Sequence, residues 1–213
     1  MSMDLLEGHA KGVKDYGLER LIMLSDGVFA IAITLLALEI RPPENWDRTF
    51  VGLVSGAWRE LLAYAMSFFT IAIYWATHRR TFQRFHRSDA GLTALNFLLL
   101  ALITLLPFAS RLIAEGGPRG EPLLIYFCTV AAIGVVSALM FAWAAFFAKV
   151  VDPRMTFRLK VLVFLILLIM PTMMTAAGFA LTNPRYWWAM PIAGVFAGVL
   201  VALRRRLGRQ AGV

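Results

Sequence analysis

Apolar residues fall in six long runs separated by short polar stretches, and this pattern predicts an all-α, polytopic membrane protein with six transmembrane helices. Each run approaches the about 20 residues that a helix needs to cross the roughly 30 Å hydrocarbon layer of a bilayer. The runs extend from about Leu18 to Ile40, Trp58 to His78, Asp89 to Ala114, Leu123 to Ala148, Leu159 to Leu181 and Trp187 to Leu203. Pro42-Pro43 ends the first, because proline cannot continue a helix. Ser88 or Asp89 is the expected N-cap of the third, and Gly116-Gly117-Pro118 is the turn after it. Pro107 and Pro171 are expected to kink the third and fifth spans.

The polar stretches carry the orientation signal, since Lys and Arg accumulate in short cytoplasmic loops. Lys11, Lys14 and Arg20 precede the first span; Arg79, Arg80, Arg84 and Arg87 join the second to the third. Lys149, Arg154, Arg158 and Lys160 join the fourth to the fifth, and Arg204, Arg205, Arg206 and Arg209 follow the sixth. The opposite side holds only Arg41, Arg48, Arg111, Arg119 and Arg185, with Arg59 near a span end. Both termini are therefore expected in the cytoplasm. The expected organisation is a cytoplasmic N-terminal segment over residues 1–17, a six-helix transmembrane domain over 18–203 and a basic cytoplasmic tail over 204–213. Residues 1–17 lack the basic-then-apolar layout of a signal peptide, so no cleaved leader is expected.

Composition sharpens this picture. Of 213 residues, 60% are apolar and 16% charged, against about 25% charged in an average soluble domain, which excludes a disordered chain or a sizeable soluble catalytic domain. Cys128, the single cysteine, cannot form an internal disulfide. The net charge of +8 is accounted for by the loop asymmetry, so nucleic acid is not an expected partner. No HExxH, CxxC, GxSxG or P-loop string occurs, and His9, His78 and His86 are the only histidines. Neither enzymatic chemistry nor a bound cofactor or fixed metal is expected.

The first span holds the informative residues. Asp26 lies about a third of the way into it, where an ionised carboxylate costs on the order of 2 to 3 kcal/mol on insertion scales, so it should face protein or water and have partners. Trp75 and His78 in the second span and Asn96 in the third lie at matching depth, and Ser25 adds a hydroxyl. At 100° per residue, Gly27, Ile31, Thr34, Leu35 and Leu38 share a narrow arc well away from Asp26. Read alone, such a stripe is more often ordinary packing than a pore lining.

The string Arg20-x-x-x-Leu24-Ser25-Asp26-Gly27-Val28-Phe29-Ala30-Ile31-Ala32-Ile33-Thr34-Leu35-Leu36 closely resembles the signature of the bacterial relatives of the lysosomal potassium channel, transmembrane protein 175. That family pattern is R-x-x-x-F-S-D, and Leu24 stands where the family has phenylalanine. The resemblance implies a homotetramer in the cell inner membrane, with the first helix of each copy lining a central pore for potassium and other monovalent cations. It implies that Ile31, Leu35 and Leu38 form an aliphatic constriction, with Thr34 as a hydroxyl layer between them. It further implies that Arg20, Ser25 and Asp26 anchor the pore helix through Trp75 and His78, with Asn96 at the same depth. On an ideal helix Arg20 projects toward the stripe, which leaves it either in that network or in the inner vestibule. Selectivity for potassium over sodium is expected to be weak, because an aliphatic ring offers no oxygens to replace hydration. The rival reading is a secondary transporter or proton pathway using Asp26 and His78 as a relay; broken helices and paired repeats, common in transporters, are not evident.

Overall fold

The computed structural model describes residues 15–117, 120–153, 155–183, 185, 187–188, 190–192, 194–195, 197–199 and 202. The Asp15 carboxylate opens the first helix by accepting hydrogen bonds from the Gly17 N–H at 2.9 Å and the Leu18 N–H at 3.2 Å. These are donors that a first helical turn leaves without an internal partner. Helix α1 runs Tyr16–Leu38, and a short helix α2, Phe50–Gly56, follows the loop after it. Next come α3, Trp58–Phe82, α4, Ala90–Thr104, and α5, Leu106–Gly116. Helix α6 is Glu121–Ala142 and continues into a π-helical turn, Trp143–Phe147. Helices α7, Phe157–Leu167, and α8, Ile169–Thr182, follow.

Five continuous stretches are long and apolar enough to cross a membrane: Tyr16–Leu38, Trp58–Phe82, Ala90–Gly116, Glu121–Phe147 and Phe157–Thr182. The chain is a multi-pass, all-helical membrane protein; among the described residues no strand occurs, and a lone antiparallel bridge pairs Phe85 with Val151. The sixth expected span falls on Met190–Val199, a shorter apolar helix that passes over residues outside the described set. Residues 1–14 and 203–213, which hold most of the two expected cytoplasmic tails, also lie outside it.

The kinks expected in the third and fifth spans take the form of helix breaks with one cause. The third span breaks at Leu105, two residues before Pro107, and the fifth at Leu168, three before Pro171. A proline ring removes its own N–H and crowds the carbonyl four residues earlier, so the disturbance lies on the N-terminal side of the ring. Helix α2 lacks the length and the apolar run that would mark it as a span, and its N-cap is Thr49, whose hydroxyl accepts from the Gly52 N–H at 2.9 Å.

Helix α6 is the centre of the subunit, packed against α4, α5, α7 and α8. Without a hydrophobic driving force inside a bilayer, close helix contact relies on small residues and polar links. Gly134 leaves room for Pro171 of α8 and for the Tyr74 hydroxyl of α3; a Cβ there would come within 2.6 Å of the proline ring. The Tyr74 hydroxyl donates to the Val130 carbonyl at 2.8 Å, and the Ser67 hydroxyl donates to the Tyr126 hydroxyl at 3.3 Å. Helix α1 lies to one side, against α3 and α4.

Candidate functional site

Leu18, Leu21, Ser25, Phe29, Ala32 and Leu36 form the buried face of α1. Their spacing of three and four residues keeps them within one narrow arc. The opposite side points away from the rest of the subunit: Ile31 is 58% exposed, Leu35 40% and Leu38 75%. Thr34 is exposed beside them, and no atom outside the helix lies within 4 Å of where a Cβ on Gly27 would stand. The aliphatic stripe therefore does not pack against the rest of its own chain. From Ile31 to Leu38 it rises about 10 Å along the helix. The Thr34 hydroxyl donates its proton to the Ile31 carbonyl at 2.8 Å, which leaves the oxygen's lone pairs as its outward-facing chemistry.

On the buried face a directional chain of hydrogen bonds ties three helices together. The Ser25 hydroxyl of α1 donates to the Leu21 carbonyl at 2.7 Å and accepts from Asn96 Nδ2 of α4 at 3.0 Å. Asn96 Oδ1 lies 2.8 Å from His78 Nε2 of α3. With the amide nitrogen committed to Ser25, Asn96 Oδ1 is an acceptor, and His78 donates through Nε2–H. Asn96 is wholly buried and His78 only 5% exposed. The imidazole stacks on Phe82 with centroids 4.1 Å apart and lies 5.5 Å from the Phe29 ring.

Asp26 stands outside this chain. Its Oδ1 accepts a 2.8 Å hydrogen bond from Trp75 Nε1, so the carboxylate has a donor although it lies on the exposed side of α1. The Trp75 indole in turn lies 5.6 Å from the Arg79 guanidinium. Arg20 is exposed, and among the described residues it joins neither set of hydrogen bonds. At 100° per residue it stands one above the other with Leu38 on the stripe side.

Both ends of α1 carry contacts that sequence reasoning missed. At the N-terminal end the second Asp15 oxygen accepts from the Ser88 N–H at 2.7 Å, tying the start of α1 to the loop before α4. That hydrogen bond, with those from Gly17 and Leu18, holds the Asp15 carboxyl below its ordinary range. At the other end Arg111 of α5 reaches Glu39, just past the helix, at 3.4 Å and Glu115 at 2.7 Å. The Asp15 cap was legible as an acidic residue ahead of an apolar run; the Glu39–Arg111 pair, 72 positions apart, had no local signal.

Residues 20–107 match the sequence profile of the endosomal/lysosomal potassium channel TMEM175, a stretch that spans α1, α3 and α4. A crystal structure of a lysosomal potassium-selective channel TMEM175 homolog from Chamaesiphon minutus aligns with a TM-score of 0.65 and 32% identity, covering 88% of this chain and 97% of that one. The chain belongs to the TMEM175 family. The aligned structure reaches beyond residue 107 into the later helices, since it covers 88% of this chain. Among curated relatives, a potassium channel of Chamaesiphon minutus is 46% identical over 99 residues, 45% of this chain and 49% of the relative. The human protein named endosomal/lysosomal proton channel TMEM175 is 29% identical over 141 residues, 64% of this chain and 27% of that protein. The chain thus spans about half the length, or less, of these curated TMEM175 relatives.

Proposed function

We propose that the chain is one subunit of a homotetrameric cation channel of the cell inner membrane, conducting potassium passively through a pore lined by α1. The reading rests on one observation above the rest: Ile31, Thr34, Leu35 and Leu38 face away from their own subunit along a continuous stripe. Gathered around a shared axis, four such stripes make rings of aliphatic carbon with one ring of threonine oxygens between them. Membership of a family whose profile is described as a potassium channel supports the choice of ion. The basic loops are on the cytoplasmic side, with the termini and the segments 1–17 and 204–213.

A naked cation has no place in an apolar ring, since carbon cannot replace its hydration oxygens. Moving an ion from water to a medium of low dielectric costs on the order of 20 kcal/mol in the Born limit. Conduction therefore requires the constriction to stay wet, and a narrow apolar segment closes by dewetting. Thr34 eases the passage by presenting lone pairs, since its proton is held by the Ile31 carbonyl. With no fixed oxygen cage, potassium is preferred over sodium only weakly, through the lower cost of reshaping its water shell. The hydrogen bonds from Asn96 to Ser25 and His78, with that from Trp75 to Asp26, hold the rotation of α1 so that the stripe meets the axis.

The test is potassium flux into proteoliposomes, compared with sodium, for the wild type and Ile31→Asn. The amide should wet the constriction, raise the flux severalfold and bring sodium closer to potassium; equal fluxes in both proteins would remove Ile31 from the pore. A proton pathway through Asp26 and His78 has the name of the human relative in its favour. Against it, the donor chain from His78 ends on the Leu21 carbonyl, and Asp26 is held separately by Trp75. Proton flux lost in Asp26→Asn with potassium flux intact would reverse that preference.

A further inference from the structure

We propose that the basic end of α3 and the apolar side of α7 facing it form a binding site for the phosphate headgroup of an anionic phospholipid, with one acyl chain lying along α7. A cleft of about 100 Å³ opens there between the two helices. Its α3 side is built from Thr77, Arg80, Thr81 and Arg84, whose spacing of three and four residues puts them on one face. Trp75 and His78, which hold α1, occupy a different face of the same helix. The α7 side is Val163, Ile166 and Leu167.

Charge and depth together select the ligand. Arg80 is exposed, and its guanidinium offers a planar fork suited to two phosphate oxygens. Arg84 Nη1 donates to the Arg80 carbonyl at 2.8 Å, which folds the second guanidinium back along the helix toward the cleft. Asp152 is an acidic residue on the adjoining loop, and its backbone N–H donates to the Arg84 carbonyl at 3.0 Å; among the described lining residues the cleft has two arginines and no carboxylate. The Thr81 hydroxyl donates to the Thr77 carbonyl, so the arginines, and not this hydroxyl, supply the donors to an anion.

The apolar wall distinguishes a lipid from a free phosphate. Val163, Ile166 and Leu167 belong to the stretch Phe157–Thr182 that is long and apolar enough to cross the bilayer, so the wall runs from the arginines into hydrocarbon. A free anion would gain nothing from it, whereas a lipid keeps its phosphate at the rim and its chain on the wall. Basic pockets between spanning helices at the cytoplasmic surface meet a leaflet rich in anionic lipid. The site rests on α3 and α7 lying in the membrane, with their basic ends cytoplasmic as proposed above, and not on conduction. A binding measurement therefore succeeds or fails independently of the channel reading.

The experiment is a native mass spectrometry titration of the full chain in neutral detergent. Its ligands are phosphatidylglycerol, phosphatidylcholine with the same chains, and inorganic phosphate. Wild type should retain phosphatidylglycerol in preference to phosphatidylcholine. Each arginine near the surface contributes about five-fold in affinity, so Arg80→Gln with Arg84→Gln should weaken phosphatidylglycerol about thirty-fold. Arg87→Gln, on the neighbouring loop, should leave it unchanged, and Val163→Trp, which fills the wall, should weaken the lipid with both arginines present. Unaltered retention in the double variant, an equal loss in Arg87→Gln, or full competition by inorganic phosphate would each overturn the proposal.

Discussion

Asn96→Ala removes the residue on which three helices converge, and the cost follows from its geometry. The side chain is wholly buried and makes one hydrogen bond to each neighbouring helix, at 3.0 Å to Ser25 of α1 and 2.8 Å to His78 of α3. Measured interhelical hydrogen bonds in membranes average about 0.6 kcal/mol and reach about 1.7 kcal/mol, which puts the pair at about 1 to 3 kcal/mol. The upper part of that range is expected, because the buried His78 donor, packed against Phe29 and Phe82, loses its acceptor. Equilibrium unfolding in mixed dodecylmaltoside and SDS micelles, followed by circular dichroism, reads the change directly. A cycle with Ser25→Ala should yield a coupling of about 0.5 to 1.5 kcal/mol. A destabilisation below about 0.5 kcal/mol, or additive single changes, would refute the assignment of these bonds as the anchor of α1.

Trp75→Phe keeps an aromatic ring but deletes the donor to Asp26, so α1 should lose part of its rotational restraint. Potassium flux should change while helical content measured by circular dichroism stays within error, and unchanged flux would leave the Trp75–Asp26 bond without a part in the pore. For Asp15 the sign follows from the lowered pKa: its contribution to stability is complete above 3.8 and falls away as pH descends through the still lower folded value. Amide exchange at Leu18 and Ser88, corrected for intrinsic rates, should accelerate on acidification toward pH 3 in the wild type. In Asp15→Asn it should be fast throughout, and identical pH profiles would show that the carboxylate does not clamp the loop.

Five of the six expected spans were legible because burial in a bilayer demands a continuous apolar run, and no local chemistry overrides that demand. Asp89 was legible as a cap, and its carboxylate accepts from the Leu92 N–H at 3.1 Å and the Gly91 N–H at 3.3 Å. It accepts from Trp143 Nε1 as well, at 3.1 Å, a contact set by the π-helical turn that the sequence does not mark. Depth along the spans grouped Asp26, Trp75, His78 and Asn96, since residues at one level of three adjacent helices are neighbours in any packing. Which of them would bond was not legible: His78 goes to Asn96 and Asp26 to Trp75 because of helix rotations that the whole interface decides. The same limit applies to Arg20, whose long side chain is governed by rotamer choice and not by helical phase.

The most direct measurement places a cysteine at Leu35 in a Cys128→Ser background and applies a water-soluble, positively charged methanethiosulfonate to the reconstituted protein while potassium current is recorded. A residue on a wet axial path should react and block the current within the exposure, and more slowly when the pore is occupied by a large permeant cation. A Leu35→Cys protein that conducts normally and is neither labelled nor blocked would place the stripe against lipid or protein and contradict a pore lined by α1.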